Sequence, residues 1–304
     1  MPTDPVQAVD VAKRRFGDHP QARALHAKGT WVRGVFTATP EARSLSRAAH
    51  LQGDKIDVLA RFSNGSGDPQ SADYKPDVRG LAVRFTLPGG GETDLLAQSV
   101  PRFFSPTPEH FVDFIRANTG RTSNVKLPLF LARHPAAARS LPVNARALAP
   151  VSSYVNCRYF TVHALRWTNA QGTAQHVRCD WRPEATEIRI SEEEARHRGH
   201  DYLAQELRER LGTWPARFIL DAQIADPDDP VDDPSQHWPD TRRRVDVGTL
   251  TFTEVIDDPE AGGDIVVFDP SRLTDGIAST RDPVLAFRPA AYSESARRRA
   301  GPAR

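Results

Sequence analysis

Arg288 and Tyr292, near the end of the 304-residue chain, are the first residues whose types and spacing could do chemistry. A tyrosine hydroxyl ordinarily has a pKa of about 10, so tyrosine ligates ferric iron well only as the phenolate. Residues four positions apart share one face of a helix, and a guanidinium beside a phenolate stabilises its negative charge. The pair therefore indicates an anionic iron ligand. The alternative is a surface tyrosine on an arginine-rich terminal helix.

His26, near the other end of the chain, is a candidate acid–base residue. A neutral imidazole within hydrogen-bond reach can accept a proton from one substrate atom and return it to another. Ser63, in the run Arg61-Phe62-Ser63, could hydrogen-bond the second ring nitrogen and fix the tautomer. Taken alone, His26 would more often be a structural or exposed histidine.

Three arginines lie close in sequence to these candidates, and their planar guanidinium groups could bind the carboxylates of a ligand. They are Arg23, Arg61 and Arg299. An apolar wall for the same ligand could come from phenylalanines, although single phenylalanines usually pack in the core. The candidates for this wall are Phe103, Phe104 and Phe111.

The composition is that of a globular protein with a substantial core, since 39% of the residues are hydrophobic and 26% are charged. A net charge of +1 produces no global field that would attract nucleic acid or a membrane surface. The two cysteines, Cys157 and Cys179, match no zinc, redox or covalent-cofactor spacing. No apolar run reaches the roughly 18 residues of a membrane span, so we expect a cytoplasmic protein.

Apolar–polar alternation and hairpin turns predict many strands, in the ranges 31–36, 56–63, 79–87, 159–168, 173–181, 217–225 and 247–255. Helices are predicted at 6–16, 41–50, 108–118 and 191–211, with a last helix that starts either near Val284 or after Pro289. The pattern favours an α+β fold, an antiparallel β-barrel with helices packed outside, mainly in the C-terminal half. We expect one domain over 1–304, with a helix or arm at 1–19 and a barrel core at 20–300. A loop at about 226–245 would wrap this core, and the last helix would carry Tyr292.

Several blocks of sequence, in a fixed order, resemble the haem catalases. Residues 23–29 (RALHAKG) are similar to the distal histidine motif of that family. Residues 60–63 (ARFS), 77–85 (DVRGLAVRF) and 268–270 (FDP) resemble later blocks, and the Arg288–Tyr292 motif closes the pattern. The resemblance covers about residues 20–300, so the chain is identified as a member of the haem catalase superfamily.

The resemblance implies a haem b cofactor, with Tyr292 as the axial iron ligand below it. Peroxide would bind on the opposite face, where His26, Ser63 and Gln98 would be the catalytic residues. His26 would relay a proton between the two peroxide oxygens. The residues implied to contact the haem are Arg23, Leu25, Arg61, Phe103, Phe111, Arg288 and Arg299.

Two departures from the family pattern indicate which subgroup of the family the sequence resembles. Residues 96–101 (LAQSVP) stand where the family has Gly-Asn-Asn-Thr-Pro, which puts Gln98 at the position of the distal asparagine. The glutamine amide lies one methylene further from the backbone, so efficient disproportionation of hydrogen peroxide is not implied. The sequence ends shortly after Tyr292, and it therefore resembles the small catalase-related peroxidases.

The expected function is that of a haem-dependent peroxidase. It would reduce hydrogen peroxide or organic hydroperoxides with a small organic electron donor, with weak catalase activity. A fatty-acid hydroperoxide isomerase or dehydratase on the same fold, and a non-enzymatic haem carrier, are the alternatives. A homodimer is expected by analogy with the family, and no NADPH site is expected because the stretch that holds the nucleotide is not recognisable.

Overall fold

The computed structural model describes residues 3–120 and 122–300. The strands are β1 (Gly29–Ala38), β2 (Lys55–Asn64), β3 (Arg79–Thr86), β4 (Glu92–Gln98), β5 (Tyr159–Phe160), β6 (Leu165–Thr168), β7 (Ala174–Pro183), β8 (Ala216–Ile224), β9 (Arg244–Ile256) and β10 (Ile277–Ser279). The helices are α1 (Pro5–Phe16), α2 (Ala42–Leu45), α3 (Pro108–Ala117), α4 (Ser123–Arg133), α5 (Pro135–Leu148), α6 (Glu192–Arg198), α7 (Tyr202–Leu211) and α8 (Pro283–Arg299).

Eight of the described strands close into an antiparallel barrel. The sheet runs β7-β5-β4-β3-β2-β1-β9-β8, and an additional pairing of β8 with β7 completes the ring. Closure pairs the strand edges that an open sheet would leave exposed. The short strands β6 and β10 continue the sheet outside the ring, beyond β7.

The interior of the barrel is filled by aromatic side chains. Phe36, Phe85 and Trp181 pack edge to face, with ring centroids 5.2 and 6.1 Å from Phe36. All three side chains are at most 1% exposed, and burial of each such ring stabilises the fold by roughly 1.5–3 kcal/mol. A Cβ at Gly248 on β9 would lie only 2.2 Å from the Phe36 ring, so a glycine is required there.

Helices α1, α3 and α8 pack together outside the barrel through an apolar cluster that contains Val11, Val112 and Ile115. Helix α8 begins at Pro283, and the Asp282 carboxylate caps it by accepting hydrogen bonds from the backbone N–H groups of Val284 and Leu285. The cap fixes the start of the helix that carries Arg288 and Tyr292.

The predicted antiparallel barrel with outer helices is confirmed, but the helices are spread along the chain. Helices α4 and α5 were not expected, because Pro128 and Pro142 lie inside them and proline normally ends a helix. Helix 191–211 is interrupted at Gly199, where φ is 110°, and strand 159–168 is interrupted at Val162, where φ is 49°. The predicted helix 41–50 is reduced to α2 and a 3-10 turn at Ala49–Leu51.

Among the described residues, none of the helices combines the length and the apolar character that a membrane crossing requires.

Candidate active site

A row of residues on three neighbouring strands forms the floor of the candidate site. Ser63 on β2 lies opposite Gly80 on β3, and Gly80 lies opposite Gln98 on β4. Residues directly opposite one another in antiparallel strands project from the same face of the sheet. The next pair along, Phe62 and Leu81, is at most 1% exposed in the barrel core. Because side chains alternate along a strand, the row at Ser63 faces outward.

His26 is held over this floor in an unusual backbone conformation. Its φ of 56° lies in the left-handed region, which residues other than glycine rarely adopt. Its N–H donates to the Gly65 carbonyl at 3.1 Å, and its carbonyl accepts from Arg61 Nη1 at 2.9 Å. A side-chain hydrogen bond of 2.9 Å joins His26 Nδ1 to Ser63 Oγ. The His26–Ser63 pairing expected from the sequence is therefore formed.

Gly80 makes room for the imidazole, a role that the sequence analysis missed. A Cβ at this position would lie 2.8 Å from His26 Nδ1 and 2.7 Å from Ser63 Oγ. Both distances are shorter than real Cβ contacts allow, so any side chain at position 80 would displace His26 or Ser63. The glycine lies in the block 77–85, and only its position in the family pattern could have pointed to it.

The electrostatic surroundings keep His26 neutral. Burial, together with smaller effects of the positive charges of Arg61, Arg288 and Arg23, lowers its pKa to about 4. Although the residue keeps some accessible surface, protein surrounds the ring and removes most of its solvation. At neutral pH the ring therefore has one nitrogen free to accept a proton.

Gln98 presents an unused donor beside His26. Its Nε2 is buried and has no hydrogen-bond partner among the described residues. A buried donor without a partner costs about 1–3 kcal/mol, so such a group usually meets a ligand or a water. Since Gln98 and Ser63 flank Gly80 on opposite sides, the Gln98 side chain projects from the same face of the sheet on which His26 contacts Gly80.

Tyr292 and Arg288 interact as their spacing on α8 predicts. Arg288 Nε donates to Tyr292 Oη at 2.9 Å, and Arg288 Nη2 donates to the same oxygen at 2.5 Å. Two N–H groups of one cation therefore converge on the tyrosine oxygen, and hydrogen bonds from a charged donor are stronger than those between neutral groups. The Arg288–Tyr292 contact expected from the sequence is formed.

The tertiary structure brings the two ends of the chain together at this site. The backbone N–H of Ala24 donates to Ser295 Oγ on α8 at 3.2 Å, a contact between residues 271 positions apart. Arg288 is near enough to His26 for its charge to lower the histidine pKa. The segment of His26 and the helix of Tyr292 therefore belong to one site.

The three candidate arginines lie in this region but differ in their partners. Arg61 donates to the carbonyls of His26 and Ala27 at 2.9 and 2.8 Å, and burial lowers its pKa to about 9. Arg23 and Arg299 both pair with Glu260, at 2.7 and 2.9 Å. Glu260 lies in an irregular loop, and no sequence pattern signalled it.

A buried His163–Asp282 pair is a second feature that the sequence analysis missed. His163 Nδ1 and Asp282 Oδ2 are 2.6 Å apart, and both residues are at most 5% exposed. Burial lowers the pKa of His163 despite the carboxylate, and Arg288 acts in the same direction. His163 Nε2 has no partner among the described residues. The pair therefore links the cap of α8 to the surroundings of Arg288.

The predicted apolar wall forms a stack of rings. Phe103 lies 5.3 Å from Phe104 and 5.8 Å from Phe111, and its ring is 6.1 Å from that of His163. Leu25, next to His26 in the chain, is partly buried. Two cavities of about 120 and 230 Å³ lie away from His26 and Tyr292, along α5 and its neighbouring loops, and Phe104 lines the larger one.

The residues present fit a haem group. Buried donors without partners among the described residues point to a missing anionic or oxygen ligand, namely Arg61 Nε, Arg299 Nε and Gln98 Nε2. The described residues contain no group of three or more His, Cys, Asp or Glu side chains that could hold a metal. A single tyrosine ligand is what an iron already bound by a porphyrin requires.

The fold and this site define a barrel protein of the catalase type. The structure superposes on the crystal structure of a fungal catalase with a TM-score of 0.83 and 24% sequence identity. The match covers 94% of this chain and 61% of that catalase, so the chain spans about three fifths of its length.

Residues 13–304 match the family described as Catalase, and the chain belongs to that family. It is 46% identical over 298 residues to a catalase-related peroxidase of Mycolicibacterium paratuberculosis, covering 98% of this chain and 95% of the relative. It is 34% identical over 299 residues to a catalase-related peroxidase of Synechococcus elongatus, covering 96% and 87%. These relationships make the protein an oxidoreductase.

Proposed function

We propose that this protein is a haem b peroxidase that reduces hydrogen peroxide or organic hydroperoxides with a small organic electron donor. The observation that carries the proposal is the neutral His26 imidazole, oriented by Ser63 through Nδ1, while Nε2 makes no hydrogen bond in the described part of the chain. An acid–base catalyst needs such a nitrogen, whereas a haem carrier does not.

Haem, when bound, supplies the electron-transfer chemistry that no amino-acid side chain of the site can perform. Tyr292 would hold its iron, and Arg288 would orient the tyrosine oxygen through its two hydrogen bonds. Arg23, Arg61 and Arg299 would bind the propionates, and Phe103 and Phe111 would cover the ring. Noncovalent attachment follows from the cysteine spacing, which excludes a c-type linkage.

His26 would move the proton in the reaction. Its Nε2 accepts the proton of the bound hydroperoxide and then donates it to the departing oxygen, so that water or an alcohol leaves as a neutral molecule. The Gln98 amide would donate a hydrogen bond to a peroxide oxygen. In the complete reaction the hydroperoxide takes up two electrons and two protons, both supplied by the organic donor, and gives an alcohol and water, or two waters from hydrogen peroxide.

The test is an absorption spectrum of the purified protein with haem, recorded before and after one equivalent of hydrogen peroxide, with and without an aromatic donor. We expect a ferric spectrum of tyrosinate type that peroxide changes and the donor restores. Tyr292→Phe should lose that spectrum. Failure of the wild-type protein to take up haem would overturn the site assignment, and haem binding without any response to peroxide would favour the carrier.

Donor dependence separates the remaining alternative. A peroxidase consumes donor and hydroperoxide together, whereas an isomerase or dehydratase of fatty-acid hydroperoxides needs no external reductant. Turnover of a fatty-acid hydroperoxide at full rate without donor would replace the proposal by that alternative. Homodimer formation and a cytoplasmic location stay predictions.

A further inference from the structure

Glu260 joins two of the arginines of the candidate site. Its Oε2 lies 2.7 Å from Arg23 Nη1, and its Oε1 accepts a hydrogen bond from Arg299 Nη1 at 2.9 Å. The backbone N–H of Val266 donates to the same Oε1 at 2.8 Å. The side chains of Arg23, Glu260 and Arg299 are 18%, 11% and 7% exposed. This carboxylate is therefore held by three donors in a largely buried position.

Glu260 also interacts electrostatically with all three arginines. Burial raises the pKa of Glu260, but the charges of Arg23 and Arg299 and the hydrogen bonds from Arg299 and the Val266 backbone outweigh burial and hold the pKa below its ordinary value. Glu260 also raises the pKa of Arg61, whereas burial and the charge of Arg23 lower it. The charge of Asp258 acts on Arg23 and Arg61 in the same direction as that of Glu260.

The hydrogen bonds leave donors of the arginines unused. Glu260 contacts Nη1 of Arg23 and Nη1 of Arg299, and Arg23 Nη2 donates to the Val266 carbonyl at 3.2 Å. The Nε atoms of Arg299 and Arg61 are buried and have no partner among the described residues. The carboxylate thus holds the guanidinium groups in place while buried donors next to it stay available for an anionic ligand.

We propose that Glu260 is a positioning residue that orients Arg23 and Arg299 toward the two propionates of haem. This inference rests on the proposed haem function. The hydrogen bond from the Val266 backbone fixes Glu260 independently of the arginines, which favours a permanent role over displacement by a propionate.

The experiment measures the rate of haem loss from the full-length protein to an excess of apomyoglobin. Glu260→Gln, which removes the charge and keeps the shape, should accelerate haem loss about ten-fold. Glu260→Asp keeps the charge but shortens the reach and should have an intermediate effect. Glu294→Gln is the matched control, because Glu294 also pairs with two arginines, Arg297 and Arg298, outside the cluster.

A second ligand separates positioning from a general effect on folding. With iron protoporphyrin dimethyl ester, whose propionates carry no charge, Glu260→Gln and the wild-type protein should lose the ligand at similar rates. Equal rates of haem loss from both proteins would overturn the inference and leave the proposed function intact. Slower haem loss from Glu260→Gln would show that Glu260 competes with the propionates. A wild-type protein that binds no haem would overturn both proposals.

Discussion

At the scale of single residues, the site depends on a histidine that stays neutral and accessible to a ligand. His26 combines a left-handed backbone, a serine partner and three neighbouring arginines. The serine contact determines which ring nitrogen is free, and the positive charges oppose protonation of that nitrogen. The cost of such a backbone, of order 1–3 kcal/mol, is typical of functional positions.

His26→Ala should lower kcat/KM for hydrogen peroxide by about 10²–10⁴-fold, because it removes the proton acceptor and leaves the haem contacts in place. Stopped-flow kinetics on haem-loaded protein measures this change. His197→Ala, on the exposed face of α6, is the control and should react at the wild-type rate. Undiminished peroxide turnover in His26→Ala would rule out the acid–base role.

The pKa of His26 predicts the pH dependence of the reaction. Because burial and nearby arginines lower this pKa to about 4, the ring is neutral and active above that value and becomes protonated below it. The rate with peroxide should therefore stay constant from pH 7 to about pH 5 and fall below pH 4. An inflection near pH 6.5, the value of an ordinary histidine, would contradict the described surroundings.

At the scale of elements, a strand row and a capped helix position the reacting groups. Strands β2, β3 and β4 place Ser63, Gly80 and Gln98 side by side through their register. Helix α8 holds Arg288 and Tyr292 on one face, one turn apart. Groups carried by strands and helices are held in a better defined geometry than groups carried by loops.

Gly80→Ala should disturb the reaction more than the fold. The added methyl group would meet His26 and Ser63 below 3.0 Å, and a shift of about 1 Å in a catalytic group can cost on the order of 100-fold in rate. Peroxide kinetics and thermal unfolding measure the two effects. Gly212→Ala, at the end of α7 with a φ of −68°, is the control. Wild-type kinetics in Gly80→Ala would refute this packing argument.

Asp282→Ala should destabilise the protein because it removes both the α8 cap and the partner of His163. Loss of a cap costs about 1 kcal/mol, and a buried imidazole without its partner adds about 1–3 kcal/mol. Denaturant unfolding measures the sum. Ser191→Ala removes only the cap of α6 and should cost about 1 kcal/mol. If the two variants lose equal stability, the His163–Asp282 contact contributes nothing.

At the scale of the whole molecule, the barrel brings together residues from all parts of the chain. The site takes His26 from the first tenth of the sequence, Gln98 from the first third and Tyr292 from the last helix. The contact of Ala24 with Ser295 joins the most distant of these segments. The site therefore exists only in the completed fold, and its titrating groups contribute to the stability of that fold.

Acid should weaken the folded state as its buried histidines become protonated. Burial lowers the pKa values of His26 and His50 to about 4, whereas in the unfolded chain each histidine binds a proton near pH 6.5. Between these values the unfolded state binds more protons, so the free energy of unfolding falls as the pH falls. The slope is roughly 1.4 kcal/mol per pH unit for each histidine.

Urea unfolding between pH 7 and pH 4.5 measures this slope. His50→Gln removes one titrating group from the barrel core, away from the site, and should reduce the slope by roughly 1.4 kcal/mol per pH unit at most. The slope that is left comes from His26 and from His163, whose pKa burial also lowers. A free energy of unfolding that is independent of pH in this range would show that these histidines are not protected from protonation.

Local patterns in the sequence determined a large part of the fold. The alternation of apolar and polar residues along the strands and the hairpin turns are local patterns that can be read from neighbouring residues. The antiparallel barrel was predicted from them. The i, i+4 spacing of Arg288 and Tyr292 likewise anticipated their hydrogen bonds. Prolines inside α4 and α5 hid those helices, because local propensity opposes them and packing overrides it.

The candidate residues of the site could be read from their types and order, as His26, Ser63 and Tyr292 show. Their arrangement could not. Two examples are the contacts of Glu260 with Arg23 and Arg299 and the contact of Asp282 with His163. These contacts join residues more than 35 positions apart and produce no repeating pattern in the sequence. Such contacts form only when the barrel closes and α8 packs against it. Sequence alone determined which groups are present, and the tertiary structure decided which charges and hydrogen bonds surround them, because electrostatic and hydrogen-bond energies depend on distances in space.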